Sequence, residues 1–145
     1  MKLKYISELE KFGRVFISSE IQLEKEFEKY KLNISPEKFH SLLSFAQLYI
    51  GEGGSTASEA TILGTPSIHI SSTAKFCGNF DELYRYGLIY TFSDDEEALK
   101  KAVAILQNPD SKNEWKEKKE KLLKEKIDVV KFMTTMIESY HKGKA

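Results

Sequence analysis

The sequence predicts an α/β fold, a Rossmann-like and mostly parallel sheet flanked by helices. Two observations carry that expectation. Short apolar runs rich in β-formers, at residues 14–18, 48–50, 67–70 and 88–90, alternate with segments of helical periodicity. Gly13, Gly51, Gly64 and Gly87, with the capping residues Ser35 and Ser93, punctuate the alternation. Strands separated by helices at this spacing argue for parallel pairing, with helices over both faces.

The elements follow in order. Residues 4–11 read as a helix with Ile6 and Leu9 on one side, stopped by Gly13 before the strand at 14–18. Residues 20–30 are charged around Ile21, Leu23 and Phe27, the pattern of a surface helix, and 32–34 read as a brief strand. Ser35 then serves as N-cap, Pro36 as the first helical residue and Glu37 as an acid near the positive dipole end. Phe39, Leu42, Leu43 and Ala46 give that helix an apolar face. The strand at 48–50 breaks at Gly51-Glu52-Gly53-Gly54, a helix runs over 55–63 to Gly64, and 67–70 is the next strand. A short helix at 80–86 ends at Gly87 before the strand at 88–90. Ser93-Asp94-Asp95-Glu96 caps a helix with Leu99, Ala102, Val103 and Leu106 on one face.

The last third has a different character. Residues 111–126 hold seven Lys against four Glu around Trp115. They read as a solvated helix face, with a membrane-surface or partner-binding role as the alternative. In 127–141, Ile127, Val130, Thr134 and Ile137 form one stripe beside Val129, Phe132, Met133, Met136 and Tyr140. A face that wide calls for burial, against its own sheet or against something outside the chain. The organisation expected is one domain over residues 1–145, with an α/β core at 1–110 and C-terminal helices at 111–145.

Composition narrows the function classes. The 145 residues suit a single domain, and 22 Lys+Arg balance 22 Asp+Glu. A chain that binds by neutralising phosphate backbones carries a basic excess, so nucleic acid is not the expected partner. A lone Cys77 excludes an internal disulfide framework and a Cys-based zinc site, and points to a reducing, cytoplasmic setting. No metal or cofactor is expected. No apolar run approaches the ~20 residues of a membrane span.

Chemistry concentrates in residues 49–66. A strand empties into a glycine-rich turn that opens a helix, whose first backbone N–H groups lack intrahelical partners. Together with the helix dipole they make an anion site, and glycine lets a phosphate approach the backbone. Ser55 and Thr56 add hydroxyl donors. No Gly-Lys-Ser/Thr follows, so this is not a Walker A loop, and the Gly-x-Gly-x-x-Gly dinucleotide spacing is not matched. A bare glycine-rich turn is as often only a tight turn. Glu59 adds a carboxylate one turn into a small, apolar helix, placed either to accept vicinal sugar hydroxyls or to cap the Gly53 or Gly54 amides. Glu52 reads equally as a turn carboxylate or a site residue. His69, inside a strand, reads as a packed histidine before a catalytic one.

The run from Leu48 through Pro66 resembles the nucleotide-sugar-binding motif of GT-B glycosyltransferases and the related UDP-N-acetylglucosamine 2-epimerases. It is also similar to an uncharacterised prokaryotic family of that fold. That family carries segments like Val15-Phe16-Ile17-Ser18-Ser19-Glu20, Pro36-Glu37-Lys38-Phe39-His40, Ser58-Glu59-Ala60 and Leu63-Gly64-Thr65-Pro66 in this order. The resemblance covers about residues 6–106 and implies a GT-B C-terminal domain. It implies that Gly53, Gly54, Ser55 and Thr56 hold the diphosphate of a nucleotide-sugar, or of a nucleoside diphosphate, and that Glu59 binds the ribose. Ile34 and Ser35 would lie near the base, and Ser71 and Ser72 near the sugar or phosphate. Such enzymes work in a cleft between two domains. Against that pattern the chain lacks an N-terminal domain and the first strand of the C-terminal one. That gap implies exposed sheet edges, a partner chain or self-association through 127–141. The expected function is a donor-binding half, inactive alone; the alternative is a non-enzymatic ligand-binding or interaction module that keeps the fold.

Overall fold

The computed structural model describes residues 3–73 and 78–141; Cys77 lies outside them. Helix α1 (Leu3–Glu10) opens the chain, and α2 (Phe39–Phe45) follows a long irregular stretch. Then β1 (Tyr49–Gly51), α3 (Gly54–Leu63), β2 (Ser67–Ile70), α4 (Gly78–Arg85), β3 (Ile89–Phe92) and α5 (Asp95–Gln107) alternate. Two further helices, α6 (Ser111–Glu125) and α7 (Val129–His141), complete the order. The three strands form one parallel sheet in the order β1-β2-β3, with Tyr49 opposite Ser67 and Ser67 opposite Ile89. The chain is therefore α/β, a parallel sheet flanked by helices. Because the strands are parallel, the Gly51–Gly54 turn, residues 71–73 and the start of α5 share the carboxyl edge of the sheet.

The core is built from both periodicities. Ile68, Leu88 and Ile89 are fully buried on the sheet, and Ala57, Ala60 and Thr61 bring α3 against it with little side chain between. Helix α5 buries Ala98, Ala102 and Ile105, with Leu99, Val103 and Leu106 only partly covered. Its N-cap is Asp94, within the expected capping run 93–96: one carboxylate oxygen accepts the N–H groups of Glu96 and Glu97. Gly64 ends α3 at φ 88°, a left-handed conformation that costs glycine little.

Three expected elements do not form. Residues 20–30 carry only a 3₁₀ turn at Glu28–Tyr30. Ser19 folds back on Ile21, its hydroxyl accepting the Ile21 N–H and donating to the Ile21 carbonyl, a local alternative to helix. Ile21 is 78% exposed and Leu23 and Phe27 are only partly covered, so the expected apolar face is not buried well enough to sustain a helix there. The strands expected at 14–18 and 32–34 reduce to one parallel bridge, Ile17 with Lys31. The helix expected from Ser35 starts as a 3₁₀ turn, Pro36–Lys38, and Ser35 makes no capping bond. Its hydroxyl instead serves Glu37, holding that carboxyl below the usual range.

The lysine-rich helix α6 is fastened by its exceptions. Trp115 is buried and its Nε1–H donates to the Leu88 carbonyl at 2.7 Å. Lys112 donates to the carbonyls of Ser44 and Ala46 at the end of α2, and burial holds its ammonium below the ordinary value. Lys118 lies over the Trp115 ring, and Lys126 pairs with Glu82. Helix α7 is the opposite case: Val129, Val130, Phe132, Met133, Met136, Ile137 and Tyr140 are all more than half exposed. Its apolar face does not return to the sheet. No helix among the described residues is long and apolar enough to cross a membrane.

Candidate functional site

The glycine-rich turn forms where β1 empties into α3. Gly53 is the N-cap of α3 in an extended conformation, φ −71° and ψ 99°, and no side chain caps the helix among the described residues. The first N–H to find a backbone acceptor in the helix is that of Ala57, on the Gly53 carbonyl. The amides of Gly54, Ser55 and Thr56 therefore stand open at the positive end of the dipole, with no acid in the first turn.

These glycines are not required by backbone sign, since only Gly64 and Gly87 take positive φ among the described residues. Space around them is tight. A Cβ on Gly51 or Gly53 would sit 3.0 Å from the Tyr49 hydroxyl, and one on Gly54 3.3 Å from Cζ of Phe80. Tyr49 donates its hydroxyl to the Gly53 carbonyl at 3.1 Å and so fixes the turn. Burial pushes that phenol above its usual value, against the opposing bonds to Gly53 and Thr56. On the other side His69 Nε2 lies 3.2 Å from the Glu52 carbonyl, which calls for the proton on Nε2. The His69 ring stacks on Phe80 with centroids 4.5 Å apart, and its Nδ1 is buried with no partner among the described residues. His69 is thus packed, and it braces the turn from beneath. Glu52 contributes its carbonyl to that brace while its side chain is exposed.

Glu59 sits five residues beyond Gly54 on the same helix, roughly 7.5 Å along its axis at the standard rise. Its carboxylate does not cap Gly53 or Gly54. It lies 3.3 Å from Nε2 of His40 and keeps nearly half its surface open to water. His40 is the partner that sequence reasoning missed; with Glu59 on another helix, no spacing rule connects the two. Ser71 and Ser72 follow β2 on the same sheet edge. Ser71 donates its N–H to the Phe92 carbonyl, and its hydroxyl accepts from the Thr73 amide, leaving Ser72 exposed. Ile34 and Ser35 are half-buried beside the Pro36–Lys38 turn. His40, a few residues on, links that loop to Glu59.

The structure thus gathers Gly53, Gly54, Ser55, Thr56 and Glu59 on one helix, with Ser71 and Ser72 at the next strand end. The site is an open surface. The recess of about 380 Å³ beside β1 is lined from within residues 9–18 and 39–50, with Leu32 and Leu106, and by none of residues 53–56. Among the described residues no group of three His, Cys, Asp or Glu could hold a metal ion. In comparisons with known proteins, the chain matches no protein-family model and no curated protein.

Proposed function

We propose that the chain is the donor-binding half of a glycosyltransferase-like or sugar-nucleotide-epimerase-like protein, taking a nucleotide-sugar or nucleoside diphosphate. The observation that carries this reading is the uncapped start of α3, three open amides behind a turn where a Cβ would be crowded. The diphosphate binds Gly53, Gly54, Ser55 and Thr56, and the ribose hydroxyls bind Glu59, which His40 orients. In transfer chemistry those amides would stabilise charge on the departing diphosphate, an electrostatic role that needs no covalent intermediate. A general base and an acceptor site would come from an N-terminal domain or partner chain. The openness of the site fits one wall of a cleft.

Calorimetric titration with UDP and UDP-sugars tests this. Binding in the millimolar range or tighter is expected, weakened about tenfold by Glu59→Ala, equivalent to about 1.4 kcal/mol. Turnover by the isolated chain is expected to be nil. No heat at millimolar nucleotide, together with an unaffected Glu59→Ala variant, would sink the reading.

A second reading rests on α7. Its uncovered apolar face suits an interaction module that keeps the fold without chemistry, or self-association through 127–141. That module would bind a protein and ignore nucleotide.

A further inference from the structure

Strand β1 has a neighbour on one edge only: among the described residues it pairs with β2 and with no other strand. On that side the Tyr49 N–H bonds the Pro66 carbonyl at 2.9 Å. Main-chain groups alternate in direction along an extended strand, so the N–H and C=O of Ile50 face the opposite edge. Ile17 donates its N–H to the Tyr30 carbonyl at 2.7 Å and accepts the Leu32 N–H at 2.8 Å. Both of its polar groups are thus used on residues 30–32, and the N–H and C=O of Phe16 turn away from them. Phe16 and Ile50 line the same recess of about 380 Å³, with Val15, Leu42, Leu48 and Leu106. Phe16 is 44% exposed and Phe45, also on the recess, 83%.

An apolar hollow by itself would accept any apolar body. Two unpaired backbone edges on its lining are more selective, because only an extended chain offers donors and acceptors to both sides at once. A helix has already used its main-chain groups, and a lipid tail has none. We infer that this recess is a strand-docking slot for an extended apolar segment of a partner polypeptide, bonded to Ile50 on one side and Phe16 on the other. Its occupant is covered on both faces and so reads as a run of β-branched and aliphatic residues. Docking joins residues 14–18 and β1 into one sheet. It also accounts for the arrest of the Ile17–Lys31 pairing at a single bridge, since an isolated strand pair is marginal in water. The inference does not rest on the nucleotide site, and its test contains no nucleotide.

The test titrates the full, isotopically labelled chain with the blocked peptide KVIVVK and follows amide hydrogen exchange. Exchange at Phe16 and Ile50 is expected to slow at least about tenfold. A peptide with proline in place of the central valine should bind at least about tenfold more weakly, since proline has no N–H to give. Phe16→Asp, at a half-exposed position, should weaken binding as much while leaving the circular dichroism unchanged. No binding at about 1 mM peptide, equal binding of the proline peptide, or protection confined to α7 would each overturn the inference. So would protection of Phe16 and Ile50 that grows with chain concentration without peptide, because a second copy would then fill the slot.

Discussion

Tyr49 ties the end of β1 to the turn that follows, and its environment makes two outcomes measurable. Tyr49→Phe removes one hydrogen bond to the Gly53 carbonyl and should cost about 0.5–1.5 kcal/mol in urea unfolding. The folded chain favours the neutral phenol, so its pKa lies above the ordinary 10.0. The resulting stability is fully present below the ordinary value and is lost as pH rises through the raised one. Subtracting the phenolate absorbance titration of Tyr49→Phe from that of the parent should reveal a late-titrating tyrosine. Gly54→Ala places a Cβ against the Phe80 and His69 rings that brace the turn. Because the Phe80 ring must give way, the substitution should lower the unfolding midpoint as well as weaken UDP binding about tenfold or more, read by circular dichroism and calorimetry on the same sample. The open helix start was legible because glycine, hydroxyl and helix start are neighbours in sequence. The bracing by Tyr49, His69 and Phe80 and the His40–Glu59 pair were not, since tertiary packing creates them.

At the level of elements, α3 and β2 follow their expected spans because a buried stripe and a stop signal coincide there. Helix α3 has small residues facing the sheet and Gly64 at its end, and β2 runs over the residues read for it. Residues 20–30 show helical spacing without a well-buried face, and Ser19 offers a competing local bond, so the pattern alone did not suffice. The short strands at 14–18 and 32–34 had β-forming side chains but too few neighbours to propagate a ladder. Helix α6 depends on one bond that composition conceals. Trp115→Phe keeps a ring in place but removes the bond to the Leu88 carbonyl, which should cost about 0.5–1.5 kcal/mol. Lys112→Met removes two carbonyl partners at the end of α2; partly exposed to water, it should cost about 1 kcal/mol. Chemical denaturation of the two variants ranks them directly.

At the scale of the whole molecule, the α7 face and the candidate site both stand open. The α7 face was foreseen as needing cover, and the described fold does not cover it. Val130→Ser and Met136→Ser should therefore leave stability within about 0.5 kcal/mol of the parent. A loss of several kcal/mol in thermal unfolding would show α7 buried in solution. The candidate site, by contrast, is held by the sheet itself: three parallel strands bring their carboxyl ends to one edge, and the N-terminus of α3 points from it. The measurement closest to that claim is a UDP titration of the labelled chain followed amide by amide. The amides of Gly53, Gly54, Ser55 and Thr56 are expected to shift together, and 2′-deoxy-UDP to bind more weakly through loss of a Glu59 contact. Shifts confined to the lysine-rich face of α6, or no shift at millimolar UDP, would contradict it.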